Sequence, residues 1–98
     1  MKKNYWGWKM LNKKWVEDFF LSLIETGFFE FSKKFIDNRL WFAMGQTIDR
    51  QKFAFALNRL NYYFKKNNSN YFIKWNVVID DFPELKDKIN KHLEKKGA

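Results

Sequence analysis

The side chains best suited to chemistry in this sequence are cations interleaved with aromatics. Lys33, Lys34 and Arg39 lead up to Trp41, Lys74 precedes Trp75, and Lys95-Lys96 lies near the last residue. Lysine and arginine pair with phosphate oxygens, and an exposed indole can stack on an unpaired base. Nineteen Lys and Arg stand against 11 Asp and Glu, a formal charge of +8 on 98 residues. A surplus of that size favours a polyanionic partner, nucleic acid before membrane. Lys33, Lys34, Arg39, Trp41, Lys74, Lys95 and Lys96 are therefore the candidate nucleic-acid-binding residues. The plainer alternative is a basic surface whose lysines are only solvated.

A second kind of chemistry is suggested by Leu23-Ile24-Glu25-Thr26-Gly27-Phe28-Phe29-Glu30-Phe31, where an amphipathic segment meets a glycine and an alternating aromatic segment follows. Glu25 is the one weak candidate for a metal ligand, a role implied only by the family resemblance set out below. No catalytic residue and no cofactor is expected. The absence of cysteine excludes disulfides and thiolate zinc sites. His92 sits in a Lys-rich stretch and reads as a lone surface residue without a role. No apolar run approaches the roughly 20 residues of a membrane span, and the first residues lack the apolar core of a secretory signal.

Elements follow from periodicity and punctuation. Asn12 can cap a helix over about 13–26, with Gly27 as its stop; Val16, Phe19, Phe20, Leu23 and Ile24 share one face. Phe28–Ile36 and Leu40–Thr47 read as strands of a hairpin turning at Asp37-Asn38-Arg39. Phe29, Phe31 and Phe35, then Leu40, Phe42 and Met44, would face the core; Glu30, Ser32, Lys34, Arg39, Trp41 and Thr47 would lie opposite. The competing reading is one helix over 28–44. Asp49 can cap a helix over about 50–66. Asn67-Asn68-Ser69-Asn70 is a turn, Tyr71–Trp75 a strand that could run to Ile79, and Asp81 with Glu84 a capping-box-like start to a helix over about 83–95. The result is one α+β domain over residues 1–98 in the order α-β-β-α-β-α. Helices would cover one sheet face and leave the other as a basic platform. Trp15 and Trp75 fit the core better than a stacking role; Trp6, Trp8 and Trp41 fit either.

That order, with three segments, resembles the LAGLIDADG homing-endonuclease domain. Trp15 through Phe31 resembles the motif helix and its Gly-x-Phe strand start, Leu40–Gln46 a second strand, and Asp49–Phe64 the helix after it. The resemblance covers about half the chain. It implies a curved antiparallel sheet backed by helices, the sheet underside lying on nucleic acid and the motif helices pairing across a two-fold. The family's metal-binding acid precedes the glycine, where this sequence has Thr26; with a one-residue gap Glu25 matches the earlier, non-catalytic acid. A hydroxyl does not replace a carboxylate toward Mg²⁺, and phosphodiester cleavage by this route needs the metal. One motif is present where cleavage requires two. Leu21 and Glu25 occupy the small helix-pairing positions in one register, Ser22 and Thr26 in the other.

The expectation is a non-catalytic nucleic-acid-binding module, RNA favoured, working in an organellar ribonucleoprotein such as a mitochondrial ribosome, or in the cytoplasm of a low-GC organism. A homodimer or assembly into a larger complex is left open. The alternatives are a homodimeric DNA endonuclease using Glu25 and a small basic protein-binding product of a phage or plasmid.

Overall fold

The computed structural model describes residues 13–45 and 49–97, the side chains as far as Lys95. Asn12, Trp6, Trp8, Gln46, Thr47 and the Lys96 side chain lie outside that description. Helix α1 spans Lys13–Thr26 and turns Val16, Phe19, Phe20 and Leu23 inward, all four without exposure. Its end is a glycine stop: Gly27 takes φ +78, which a side chain would strain, and its N–H donates to the Ile24 carbonyl at 3.0 Å. This helix lies where periodicity predicts it.

The hairpin expected from Phe28 to Thr47 is not formed. Strand β1 is only Glu30–Ser32, and Lys33–Ala43 form a helix, α2, so Asp37-Asn38-Arg39 is mid-helix rather than a turn. Three local features favour the helix. The Ser32 hydroxyl accepts the Phe35 N–H at 3.1 Å and caps the first turn. Lys33 and Asp37 pair at 2.9 Å across one turn. Ile36, Leu40 and Met44 recur every fourth residue and are all buried. The period-two reading fails on its own marker, since Phe42 is 55% exposed. The alternative reading, one helix over 28–44, holds for Lys33–Ala43 and fails for the residues before it, which lead into and form β1.

Asp49 caps α3, Arg50–Leu60, by accepting the Lys52 N–H at 2.9 Å. The helix stops earlier than expected. A short 3₁₀ turn over Asn61–Tyr63 leads into β2, Phe64–Asn67, and the turn at Asn68-Ser69 leads into β3, Asn70–Ile73. Asn68 takes a left-handed φ of 60, which asparagine tolerates better than most residues. β3 is central, antiparallel to β1 and β2, in the order β1-β3-β2. Trp75 opens α4, Trp75–Asp81, rather than ending a strand. Asp81 closes α4 instead of capping the last helix, because its carboxylate is drawn inward to accept the Tyr63 hydroxyl at 2.6 Å. Pro83–Leu85 form a 3₁₀ turn ahead of α5, Lys86–Gly97.

The fold is α+β, in the order α-β-α-α-β-β-α-α. Pairing places Phe31, Tyr71, Phe64 and Ile73 on the core face of the sheet, and Glu30, Ser32, Lys65, Asn67, Asn70 and Phe72 on the other. On that outer face Asn70 donates to Glu30. The outer face is thus polar rather than a basic platform, since the cations assigned to it belong to α2. No helix among the described residues is long and apolar enough to cross a membrane.

Two consequences can be measured. Ser32→Ala should destabilise the fold by roughly 0.5–2 kcal/mol, the cost of a lost helix cap, seen as a lower urea midpoint with an unchanged slope; a neutral result would contradict α2. The second concerns Glu17 of α1 and Glu84. Their mutual hydrogen bond, helped by burial, pushes the Glu17 carboxyl up to about 7. The same bond, a backbone bond and Lys13 hold Glu84 down at about 2. Glu17 therefore stabilises most below its ordinary value of 4.5, and this contribution fades as pH rises to about 7. Glu84 stabilises above 4.5 and loses its contribution as pH falls toward 2. Glu17→Gln, which keeps a donor at every pH, should flatten the decline in urea midpoint between pH 4.5 and 7.

Candidate nucleic-acid interface

Helix α2 has two working faces. Lys34, Asp37, Asn38 and Trp41, at the spacing of one helical stripe, look toward α3. Together with Arg50, Phe53 and Ala54 of α3 they line an open groove of about 660 Å³. Trp41 stands edge-on to Phe53, ring centroids 5.3 Å apart at 81°. Lys34 and Arg50 are exposed on the two walls. The groove thus combines two cations, a half-buried indole and an amide side chain that can both donate and accept. Asp37 supplies the opposite charge, but its Oδ2 is engaged by Lys33, which raises the Lys33 pKa through that bond and its charge. Asp37 Oδ1 is buried without a hydrogen-bond partner.

The other face of α2 looks toward α1. Arg39, Phe42 and Ala43 meet Asp18 and Ser22 around a second depression of about 270 Å³. The Arg39 guanidinium lies 4.8 Å from the Phe35 ring centroid. The Ser22 stripe, one of the helix-pairing candidates, is therefore faced by α2 of the same chain.

The structure brings together only part of the expected set. Lys34 and Trp41 share the groove. Lys33 stands at the start of α2 in its pair with Asp37, and Arg39 is on the α1 side. Lys74 links β3 to α4 beside Phe29, Phe72 and Leu93. Lys95 lies on α5, in a cleft of about 240 Å³ with Leu21, Ile24, Glu25, Lys88, Lys91 and His92. Arg50, Asn38 and Phe53 were not singled out from sequence. The signal was available: read as a helix, residues 34, 37, 38 and 41 form one stripe, and the Asp49 cap places Arg50 in the first turn beyond it.

Glu25, the candidate metal ligand, is exposed and shares its cleft with three lysines. That surrounding attracts anions and opposes a divalent cation. Thr26 is occupied by backbone: its hydroxyl donates to the Leu23 carbonyl at 2.6 Å and accepts the Phe28 N–H at 3.1 Å. Among the described residues no three histidine, aspartate or glutamate side chains converge as a metal site would require.

His92 is not the surface residue that its neighbours in sequence suggest. It is 2% exposed, stacked on Phe29 at 4.2 Å and edge-on to Trp75 at 5.5 Å. Burial holds its pKa below the ordinary histidine value; the Phe28 backbone pulls the other way, and Lys95 adds to the lowering. The lysines before and after it belong to the exposed face of α5, whereas His92 continues the inward stripe begun by Leu85 and Ile89.

No protein-family model matches the chain, and neither a curated protein nor a solved structure matches it.

Proposed function

We propose that the chain is a nucleic-acid-binding module, with single-stranded RNA the favoured ligand, and that a base enters the α2–α3 groove. The observation that carries this reading is that Trp41 shares one open groove with Lys34 and Arg50. A base stacked on the indole would have its flanking phosphates within reach of a cation on either wall, and Asn38 could meet its edge. The formal charge of +8 adds long-range attraction to any polyanion. Single strands suit the groove because an indole can stack only on a base that is free of its own duplex. A place inside an organellar ribonucleoprotein is the setting this reading favours.

Of the three segments matched to the LAGLIDADG domain, α1 with its Gly27 stop and β1, and the helix after Asp49, have the expected element type, whereas the segment matched to the second strand is helical. A metal-dependent endonuclease centred on Glu25 draws no support from a lysine-lined cleft. A protein-binding role has one observation in its favour, the exposure of Phe28 at 62% and Phe42 at 55%.

The test is fluorescence anisotropy with labelled single-stranded RNA and DNA and with duplexes. RNA should bind at about 50 mM salt, and log K should fall linearly with log salt. Lys34→Ala with Arg50→Ala should weaken binding to every sequence and flatten the slope by about 1.4, two contacts at the single-strand coefficient. Trp41→Ala should cost about 1–3 kcal/mol with little change of slope, the loss of one stacked base. Failure to bind either nucleic acid would favour the protein-binding role.

A further inference from the structure

The cleft between α1 and α5 lies apart from the α2–α3 groove and has its own chemistry. Lys88, Lys91 and Lys95 follow one another at helical spacing along α5 and border it with Glu25 of α1. None of these four takes part in an ion pair among the described residues, so the cleft carries a net charge of +2 that nothing there neutralises. His92 forms part of its wall. The His92 side chain is almost wholly buried, and the Phe28 backbone is the one polar contact given for its ring among the described residues, with no well-formed hydrogen bond at either nitrogen. A buried polar group with so little hydrogen bonding is costly.

We propose that this cleft binds a phosphate-type oxyanion, held by the ammonium groups of Lys88, Lys91 and Lys95, and that His92 takes up a proton as the anion enters. The shape fits: about 240 Å³ accommodates a tetrahedral oxyanion with some water, and is too small for a nucleotide and its flanking phosphates. The charge fits, since a dianion would cancel the surplus. The proton follows from the surroundings. The charged groups around His92 are the three lysines and Glu25; Phe29 and Trp75, packed on it from the other elements, carry no charge. Without an anion, burial and then Lys95 oppose an imidazolium, against a smaller pull from the Phe28 backbone. A bound dianion reverses the local potential, and the Phe29 ring face then stacks on a cation. Binding therefore raises the His92 pKa. By linkage, affinity is highest below the pKa of the empty state and is lost as pH rises through that of the occupied state. Glu25, the only negative group there, works against the anion.

His92 is the one histidine of the chain, so its imidazole carbon–proton resonances report on the cleft without ambiguity. The full chain is titrated with sodium phosphate and with sodium sulfate, ionic strength being matched with chloride. Both anions should move the resonances saturably, with a Kd on the order of 1 mM. Sulfate keeps its charge across neutral pH, and its affinity should fall about tenfold from the acid to the alkaline side, the ratio for a one-unit rise in pKa on binding. Lys88→Ala with Lys91→Ala, both exposed, should abolish the response, and Glu25→Gln should strengthen it. Lys34→Ala with Arg50→Ala should leave it intact, which separates this site from the groove. A 5′-phosphorylated RNA oligonucleotide that displaces sulfate, where its 5′-hydroxyl counterpart does not, would support the site with a nucleic-acid end as the source of the phosphate. Binding of inorganic phosphate alone would support it as a site for the free anion. A response that chloride reproduces, that does not saturate, or that survives the double lysine variant would overturn the proposal.

Discussion

The packing of α1 against the turn before β2 and against α4 centres on the Phe20 ring. That ring has no solvent exposure, and four other rings close on it: Phe19 at 5.2 Å, Tyr63 at 5.4 Å, Trp75 at 6.0 Å and Phe82 at 6.0 Å. These neighbours come from α1 itself, from the turn before β2, from the start of α4 and from the residue that joins α4 to α5. A short chain has little apolar area to bury, and aromatic side chains supply the most per residue. Truncating a ring at such a position typically costs 3–5 kcal/mol, about a third or more of the stability of a small domain. The Tyr63 hydroxyl sits in this apolar surround, which raises its pKa, and its bond to Asp81 satisfies a donor that would otherwise be stranded. The bond also ties the entrance of β2 to the end of α4, and so sets where α5 begins.

That constraint explains the positions of the two candidate sites. Phe82 and Leu85 are buried, so α5 starts from a fixed point and runs back beside α1, turning Ile89 and His92 inward. Lys88, Lys91 and Lys95 are then left along the edge nearest Glu25. On the other side, Phe31 is buried beneath β1 and Ile36, Leu40 and Met44 continue inward along α2. The stripe bearing Lys34, Asn38 and Trp41 is what remains outward, facing α3. In both places charge is concentrated because apolar residues have claimed the opposite side of the helix.

The distribution of cations bears on function as much as their number. A charge of +8 reads in the sequence as a single basic surface, but in the fold the cations fall on separate faces. Lys33 is absorbed by Asp37, and Lys13 and Lys14 by Glu84 and Asp18. Pairs of this exposed kind add little to stability. They do remove cations from the pool available to a ligand, and among the described residues Lys34 with Arg50 and the α5 lysines are grouped, two or more together, at a concave surface.

The sequence alone determined the α+β class, α1 with its Gly27 stop, the Asp49 cap of α3, the turn at 67–70 and the basic character, because each depends on interactions within a few residues. It also named Lys34 and Trp41. It did not settle residues 28–47, where two periods compete: alternating aromatics suggest strands, whereas Ile36, Leu40 and Met44 satisfy a helix. Burial of that second set, together with the Ser32 cap, resolves the competition, and only the tertiary structure shows which set has a core to enter. Asp81 and His92 were misread for a related reason. A carboxylate and an imidazole among lysines look solvent-facing by composition. Asp81 is turned inward by a hydroxyl 18 residues earlier in the chain, and His92 lies between rings from Phe29 and Trp75. Partners so distant leave no local periodicity to read, so the groove and the cleft belong to the folded chain and not to any segment of it.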